Sequence, residues 1–466
     1  MHTIVNIIEA LCGFLWGDLV TIPLPGGTSL GLPLLVILLI PTGIYFSVRT
    51  RLLPIRMFPE MLRVTMEKNT GGNKKHAISG LQALIVSTAT RVGMGNLVGV
   101  VAAIAAGGAG AVFWMWIAAI IGSATAFIEG TLAQMYKQSD PLYGGYRGGP
   151  AYYIDAFVNS KRKIKRRSVI AVLFAISGLI CWCGISQVIG NSVTSAFALA
   201  FNIKPLYTII VLVAVSAVIV LRKNATVKIL DLVVPIMAGV YFCFTIFVIV
   251  TNFAQLPAVF SRIFSEAFGL RQLAGGGFGA VLMNGVKRGL FSNEAGSGSA
   301  PCAAAAARTD HPVKIGLMQA LGVFIDTIVI CSCTAFMVLL APDTSLEGLN
   351  GIHLLLAAMQ FHFGAFGTYF IAAILWLFSF STFLGILFYA RSNVAYLCGD
   401  NWWSQTAYKV IALIMLFIGG LAAYTFVWDL GDVGIGLMTI FNLLILLPMG
   451  GQALEKLREY ESRKKR

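Results

Sequence analysis

Apolar residues run in stretches of about twenty that alternate with short polar segments, the spacing of a chain that crosses a bilayer as α-helices. Eleven such stretches are legible, at 30–50, 79–106, 112–137, 168–200, 206–221, 226–252, 277–306, 315–341, 366–397, 405–425 and 432–449. A porin-type barrel would show strands of about ten residues with alternating polarity. The runs here are longer and continuous. Two weaker stretches, near 257–270 and 349–362, are amphipathic and predict surface or re-entrant segments on the outer side. Ahead of the first span, His2, Asn6, Glu9, Gly13 and Gly17 recur every three to four residues among Ile4, Ile7, Ile8, Leu11, Phe14, Leu15 and Trp16. That periodicity predicts an amphipathic helix lying in the membrane interface within 1–22. No Lys or Arg precedes it and no small-residue cleavage site follows, so it does not read as a standard signal peptide.

Composition narrows the class further. Of 466 residues, 58% are hydrophobic and 12% charged, with a mean hydropathy of +0.82. An ordinary soluble domain carries about 25% charged residues, so a soluble enzyme, a nucleic-acid binder and a disordered chain are excluded. The expected fold is an all-α polytopic membrane protein. The net charge of +14 is explained by where it falls. Loops 51–78, 138–167, 222–228 and 307–314, the tail 450–466 and the span ends at Arg49, Lys137, Arg391 and Lys409 hold 28 of the 34 Lys and Arg. The opposite loops hold Lys204, Arg262 and Arg271, and Arg91, Lys287 and Arg288 lie within spans. This asymmetry places the basic side in the cytoplasm, including the run Lys161–Arg167 and the tail Arg463–Arg466. The N-terminus is then outside and the C-terminus cytoplasmic, in a multi-pass protein of the plasma (inner) membrane that needs no nucleic-acid partner. The eight cysteines (12, 181, 183, 243, 302, 331, 333 and 398) lie mostly in apolar runs without metal-site spacing and read as free core thiols.

The spans divide into halves. Span 30–50 stands apart. Residues 79–252 and 277–449 each hold five spans, and five is odd, so the halves enter the membrane from opposite sides. That is the arithmetic of an inverted repeat. The opening helix of each half is interrupted by small and polar residues: Ser87-Thr-Ala-Thr-Arg-Val-Gly-Met-Gly-Asn96 in the first, Gly289-Leu-Phe-Ser-Asn-Glu-Ala-Gly-Ser-Gly-Ser-Ala-Pro301 in the second. Irregular backbone at that depth is tolerated where it lines a cavity or is buried in protein. An unwound helix offers carbonyls to a cation and N–H groups to an anion. Close packing through small residues would also use such glycines; two interruptions, each opening a half, favour a binding site. Arg91 and Glu294 are expected to form a buried structural pair, and Lys287 and Arg288 to snorkel or line the outer vestibule. Asp326 is either a satisfied structural carboxylate or a proton site. Ser381 and Thr382, adjacent in mid-span, offer hydroxyl oxygens to a small hard cation, or bond back to the preceding turn.

At these residues the chain resembles the alanine or glycine:cation symporter family, the sodium-coupled amino-acid carriers. The likeness runs through Gly93–Asn96, Gly148-Gly-Pro-Ala-Tyr-Tyr153, Arg288-Gly-Leu-Phe-Ser-Asn-Glu-Ala-Gly296, Gly298-Ser-Ala-Pro301, Phe324-Ile-Asp-Thr327 and Phe380-Ser-Thr382, and covers about residues 75–450. The resemblance implies a leucine-transporter-type fold: eleven transmembrane helices, a five-plus-five inverted repeat, two broken helices and span one peripheral. It implies that the amides of Gly93, Met94 and Gly95 receive the substrate carboxylate and that carbonyls near Leu290, Phe291, Ser292 and Asn293 face its ammonium. Sodium, the coupling ion, would take carbonyls of Ala89, Val92 and Phe378 with the hydroxyls of Ser381 and Thr382, and no cofactor is implied. Asn96 would brace the break or join a second ion site. The family pattern has Thr at Met94, Met at Ser297, Gln at the position aligned with Ile189, Trp at Ile386 and Glu at Arg391. Gln187 lies half a turn from the missing Gln and stands as its substitute, and Ser297 lines the same pocket. These departures admit a larger or more apolar amino acid than alanine. Met94 and Ser297 are expected to pack beside each other near the ligand.

The function expected is sodium-coupled symport of a neutral amino acid by alternating access. The rivals are a proton-coupled carrier using Asp326 or Glu294 and, behind it, a channel. No H-E-x-x-H or G-x-S-x-G motif and no paired carboxylates at useful spacing suggest an enzyme, and His2, His76, His311, His353 and His362 form no ligand cluster.

Overall fold

The computed structural model describes all residues except 1, 24–28, 68–77, 163–165, 223–224, 269–276, 344–347, 350, 423 and 466. The middle of the basic run 161–167 and the last residue of the basic tail therefore lie outside the described residues. The interfacial helix α1 (His2–Trp16) ends sooner than expected, and a hairpin follows it, β1 (Asp18–Pro23) antiparallel to β2 (Ser29–Pro33). Then come α2 (Leu34–Arg49), the short α3 (Leu53–Arg56) and the amphipathic α4 (Phe58–Met66).

The first predicted broken helix is bent. A capping box of Ser79 and Gln82 starts α5 (Gly80–Arg91), and α6 (Val100–Gly107) follows a π-helical turn at Gly95–Gly99. The two arms, Gly80–Arg91 and Gly95–Gly107, meet at 46°. Next are α7 (Gly110–Met135), the two-residue strands β3 (Gln138–Ser139) and β4 (Tyr146–Arg147), α8 (Pro150–Arg162), α9 (Val169–Phe201), α10 (Pro205–Val220), α11 (Ala225–Thr251) and the surface helix α12 (Leu256–Ala267).

The second predicted break is wider. Helix α13 (Gly277–Asn293) stops at Glu294, and α14 (Pro301–Ala306) begins seven residues on. Between them Glu294, Gly296 and Gly298 take φ of 57°, 91° and 83°, the left-handed region that ends a helix and that glycine enters at little cost. One long rod follows, α15 (Pro312–Val323), a π-helical stretch (Phe324–Cys331) and α16 (Ser332–Leu339). The remainder is α17 (Ile352–Phe363), α18 (Ala365–Cys398), α19 (Trp402–Gly419) and α20 (Tyr424–Lys465). The basic tail is thus no separate arm, because 450–465 continue α20.

Among the described residues six helices are long and apolar enough to cross a membrane, and the bent pair makes a seventh. Helices α2 and α10, at 16 residues each, are shorter. Their outward faces keep Ile44, Val48, Ile210 and Val211 exposed, as a lipid-facing helix would. The core is the opposite: the π turn and α14 are buried throughout, and α5 is buried at eight of its twelve residues.

Candidate functional site

The polar residues of the first break are used locally. After Arg91 the backbone leaves the helix at Val92, and Gly93 N–H donates to Asn96 Oδ1 at 2.7 Å. Asn96 thereby caps the second arm. Its Nδ2 donates across to Asp326 Oδ1 at 2.8 Å and to the Asp326 carbonyl at 3.1 Å. Its own carbonyl accepts from Thr334 Oγ1 at 2.7 Å.

Helix α18 packs directly on this break. Ser381 Oγ donates to the Phe378 carbonyl at 2.9 Å and lies 3.5 Å from the Ala89 carbonyl. Thr382 Oγ1 donates to the same Phe378 carbonyl at 2.9 Å. A Cβ added at Gly93 would run into Thr382 Oγ1 and lie 3.4 Å from Phe378 O. The carbonyls of Ala89 and Phe378, the hydroxyls of Ser381 and Thr382, and the turn Val92–Gly93 are therefore gathered in one place. All are oxygen donors, the chemistry of a small hard cation. Both hydroxyls also bond back to the preceding turn, so the two readings open at the sequence level describe the same atoms. A hydroxyl keeps lone pairs for a cation while its hydrogen is engaged.

The two breaks touch. A Cβ at Gly95 would lie 3.2 Å from Ser292 Cα and 3.6 Å from Phe291 O. Ser292 Oγ donates to Asp326 Oδ2 at 2.9 Å, and Thr327 Oγ1 does so at 2.8 Å. Asp326, fully buried, is thus a satisfied carboxylate that ties the first break (Asn96) to the second (Ser292). Asn293 uses its amide twice, Nδ2 donating to Thr327 Oγ1 at 3.2 Å and Oδ1 accepting from Ala295 N–H at 3.0 Å. Leu290 completes the last turn of α13, its carbonyl accepting from Glu294 N–H at 2.9 Å. Phe291 packs against Trp428, the rings tilted by 46° with centroids 5.0 Å apart.

Three expectations are corrected. Arg91 and Glu294 form no ion pair: Arg91 Nη1 donates to the Gln319 carbonyl at 3.2 Å, while Glu294 Oε2 accepts from Tyr389 Oη at 3.3 Å. The left-handed turn at Glu294 carries its side chain to Tyr389. Lys287 and Arg288 do not snorkel. Both bind the buried Asp432, at 2.7 and 3.1 Å, and Trp16 of α1 donates to the Asp432 carbonyl at 3.1 Å. Met94 and Ser297 engage different partners. Met94 Sδ accepts from Ser192 Oγ at 3.7 Å, whereas Ser297 Oγ donates to the Glu294 carbonyl at 2.8 Å. Gln187 donates to Met415 Sδ of α19 at 3.2 Å, so its bond runs to α19 and not to either break.

Sequence reasoning missed a second brace. Glu129 of α7 accepts from Gly296 N–H at 3.0 Å, Asn442 of α20 donates to Glu129 and to the Gly296 carbonyl, and Tyr153 donates to Asn442. The signal was there, since a Glu and an Asn inside apolar spans have to be satisfied internally. Their pairing was not legible, because the two stand 313 positions apart. Beyond Met94 a cavity of about 370 Å³ is lined by Val98, Asn191, Ser192, Ser195 and the start of α17, including His353.

The profile of the sodium:alanine symporter family matches residues 25–466. The chain is 42% identical to a probable sodium/glutamine symporter, GlnT, of Bacillus subtilis, over 93% of this chain and 88% of that protein. It is 39% identical to the amino-acid carrier protein AlsT of the same organism, over 92% and 89%. It is 32% identical to the sodium/alanine symporter AgcS of Methanococcus maripaludis, over 99% and 98%.

Proposed function

The chain belongs to the sodium:alanine symporter family, a family of membrane transporters and not of enzymes, and from that membership we propose that it couples sodium entry to uptake of a neutral amino acid by alternating access. The substrate is alanine, glycine or a somewhat larger neutral amino acid. Glutamine falls in that range, and a relative named for glutamine is 42% identical to this chain over 433 aligned residues. The proposed architecture has eleven crossings, a five-plus-five inverted repeat over 79–252 and 277–449, and the basic side in the cytoplasm of a cell whose plasma membrane holds the protein.

One observation carries the reading: the Ala89 and Phe378 carbonyls and the Ser381 and Thr382 hydroxyls converge on the unwound turn at Val92–Gly93. We assign sodium to this cluster. The substrate carboxylate then sits at the N–H groups of Gly93, Met94 and Gly95, where the arm that runs on to Gly107 begins and its dipole favours an anion. The ammonium faces the end of α13, from Leu290 to Asn293. The cavity beyond Met94 provides the approach from the side opposite the basic loops.

Uptake of labelled alanine, glycine and glutamine into liposomes, with and without an inward sodium gradient, tests the reading. Sodium-dependent uptake that loses at least tenfold in sodium affinity in Ser381→Ala/Thr382→Ala supports it, each lost ligand being worth about 1–3 kcal/mol. Uptake driven by a pH gradient alone would move the coupling to Asp326 or Glu294, and unchanged sodium dependence in the double variant would remove sodium from this cluster.

A further inference from the structure

Where α2 leaves the membrane on the basic side, its end meets the helical tail of α20 around a pocket of about 320 Å³. Arg49, Arg51, Arg56 and Arg458 line it, against the single carboxylate of Glu461. Arg56 is committed, with Nη2 2.7 Å from Glu461 and 3.1 Å from the Thr50 carbonyl. Arg49 lies over the Tyr45 ring at 5.6 Å. The guanidinium groups of Arg51 and Arg458 have no ion-pair or hydrogen-bond partner among the described residues. Four guanidinium groups around one carboxylate repel one another until a counter-charge arrives.

We propose that this pocket binds the headgroup of an anionic phospholipid. The cations in it are all arginine, whose planar fork matches phosphate oxygens two at a time. The neighbours speak for a lipid over a free anion. Val48, on the last turn of α2 and lining the pocket, Leu52, which caps α3, and Ile55 of α3 are 66%, 53% and 68% exposed, and they offer apolar surface to acyl chains where soluble phosphate would need none. Basic pockets between helices at the cytoplasmic surface are placed to meet anionic lipid. A headgroup here bridges α2, which stands outside the two repeats, to the tail of α20, and so fastens the peripheral helix to the transport core.

The experiment uses the full chain, purified and delipidated, with phosphatidylglycerol, phosphatidylcholine and inorganic phosphate as probes. Retained lipid is counted by native mass spectrometry, and the thermal midpoint is followed in parallel. Phosphatidylglycerol is retained and raises the midpoint, while phosphatidylcholine and millimolar phosphate do neither. Arg51→Gln/Arg458→Gln weakens retention at least tenfold, and Lys161→Gln/Arg166→Gln, elsewhere on the basic side, leaves it unchanged. The pair Arg51→Lys/Arg458→Lys keeps the charge and covers the case in which the glutamine pair fails to fold; it too loses retention, because lysine lacks the fork. Equal retention of phosphatidylcholine, undiminished retention in either pocket variant, or an equal loss in the Lys161/Arg166 control overturns the site. A matching response to inorganic phosphate overturns the lipid as its source.

Discussion

At Gly93 the absence of one methyl group lets α18 lie against the first break, since a Cβ there would displace Thr382 Oγ1. Gly93→Ala is therefore expected to cost at least tenfold in sodium affinity with helicity and monodispersity unchanged. A sodium titration of substrate binding on the purified variant is the check, and unchanged affinity would place the ion elsewhere. The same scale shows where residue-by-residue reading reached its limit. Glycines and hydroxyls inside apolar runs announced the cluster, because such residues need a reason to be there. The direction of a side chain depends on backbone angles that sequence does not carry: Glu294, at φ 57°, turns to Tyr389 and leaves Arg91 to the Gln319 carbonyl. Met94 and Ser297 share no partner, so Met94→Thr and Ser297→Met should act independently on substrate preference. Their combined effect is expected to equal the sum of the single effects within about 0.5 kcal/mol. A larger coupling, measured from substrate affinities in a double-mutant cycle, would restore the idea that they pack together.

At the scale of elements, both interrupted helices were legible and the way they are joined was not. A run of glycine and polar residues in mid-span marks a break, but the π-helical turns at Gly95–Gly99 and Phe324–Cys331 leave no comparable mark. Those turns bring Asn96 onto Asp326. Three donors converge on that carboxylate, from Asn96, Ser292 and Thr327. Asp326→Asn keeps the shape and turns one acceptor oxygen into a donor, so at least one of the three loses its partner, at about 1–3 kcal/mol. Sodium-driven uptake should fall at least tenfold, with a lower thermal midpoint. Full activity in this variant would show that the tie between the breaks is dispensable. Glu129 and Asn442, the latter held by Tyr153, brace the second break from its other side through both backbone groups of Gly296.

At the scale of the molecule, charged networks close both ends of the bundle. On one face Asp432 of α20 holds Lys287 and Arg288 of α13. On the basic face Glu60 of α4 accepts from Arg63, from Tyr460 and from Lys464 on the tail of α20. Helix α20 therefore carries a clasp at each end, and the proposed alternating-access cycle predicts that they are released in turn. The Glu60 clasp lies outside the spans and has a defined response to acid. Burial alone would raise the Glu60 carboxyl, but the hydrogen bonds from Arg63, Lys464 and Tyr460 outweigh it and bring the group from 4.5 down to about 2. A carboxyl whose folded pKa is depressed gives stability that is complete above its unfolded value and is lost as pH falls toward its folded one. The clasp should therefore be constant from pH 5 to 8 and weaken only between about 4.5 and 2. Glu60→Gln is expected to lower the thermal midpoint by a constant amount above pH 5, and the gap to the parent should close as acid removes the charge the variant already lacks. Hydrogen exchange over 455–465 should quicken in the same variant, because Tyr460 and Lys464 bind different oxygens of Glu60 and the uncharged amide keeps only one acceptor, so at least one of them loses its partner. A gap between parent and variant that widens in acid, or exchange in the tail that does not change, would mean that Glu60 does not hold α20 to α4.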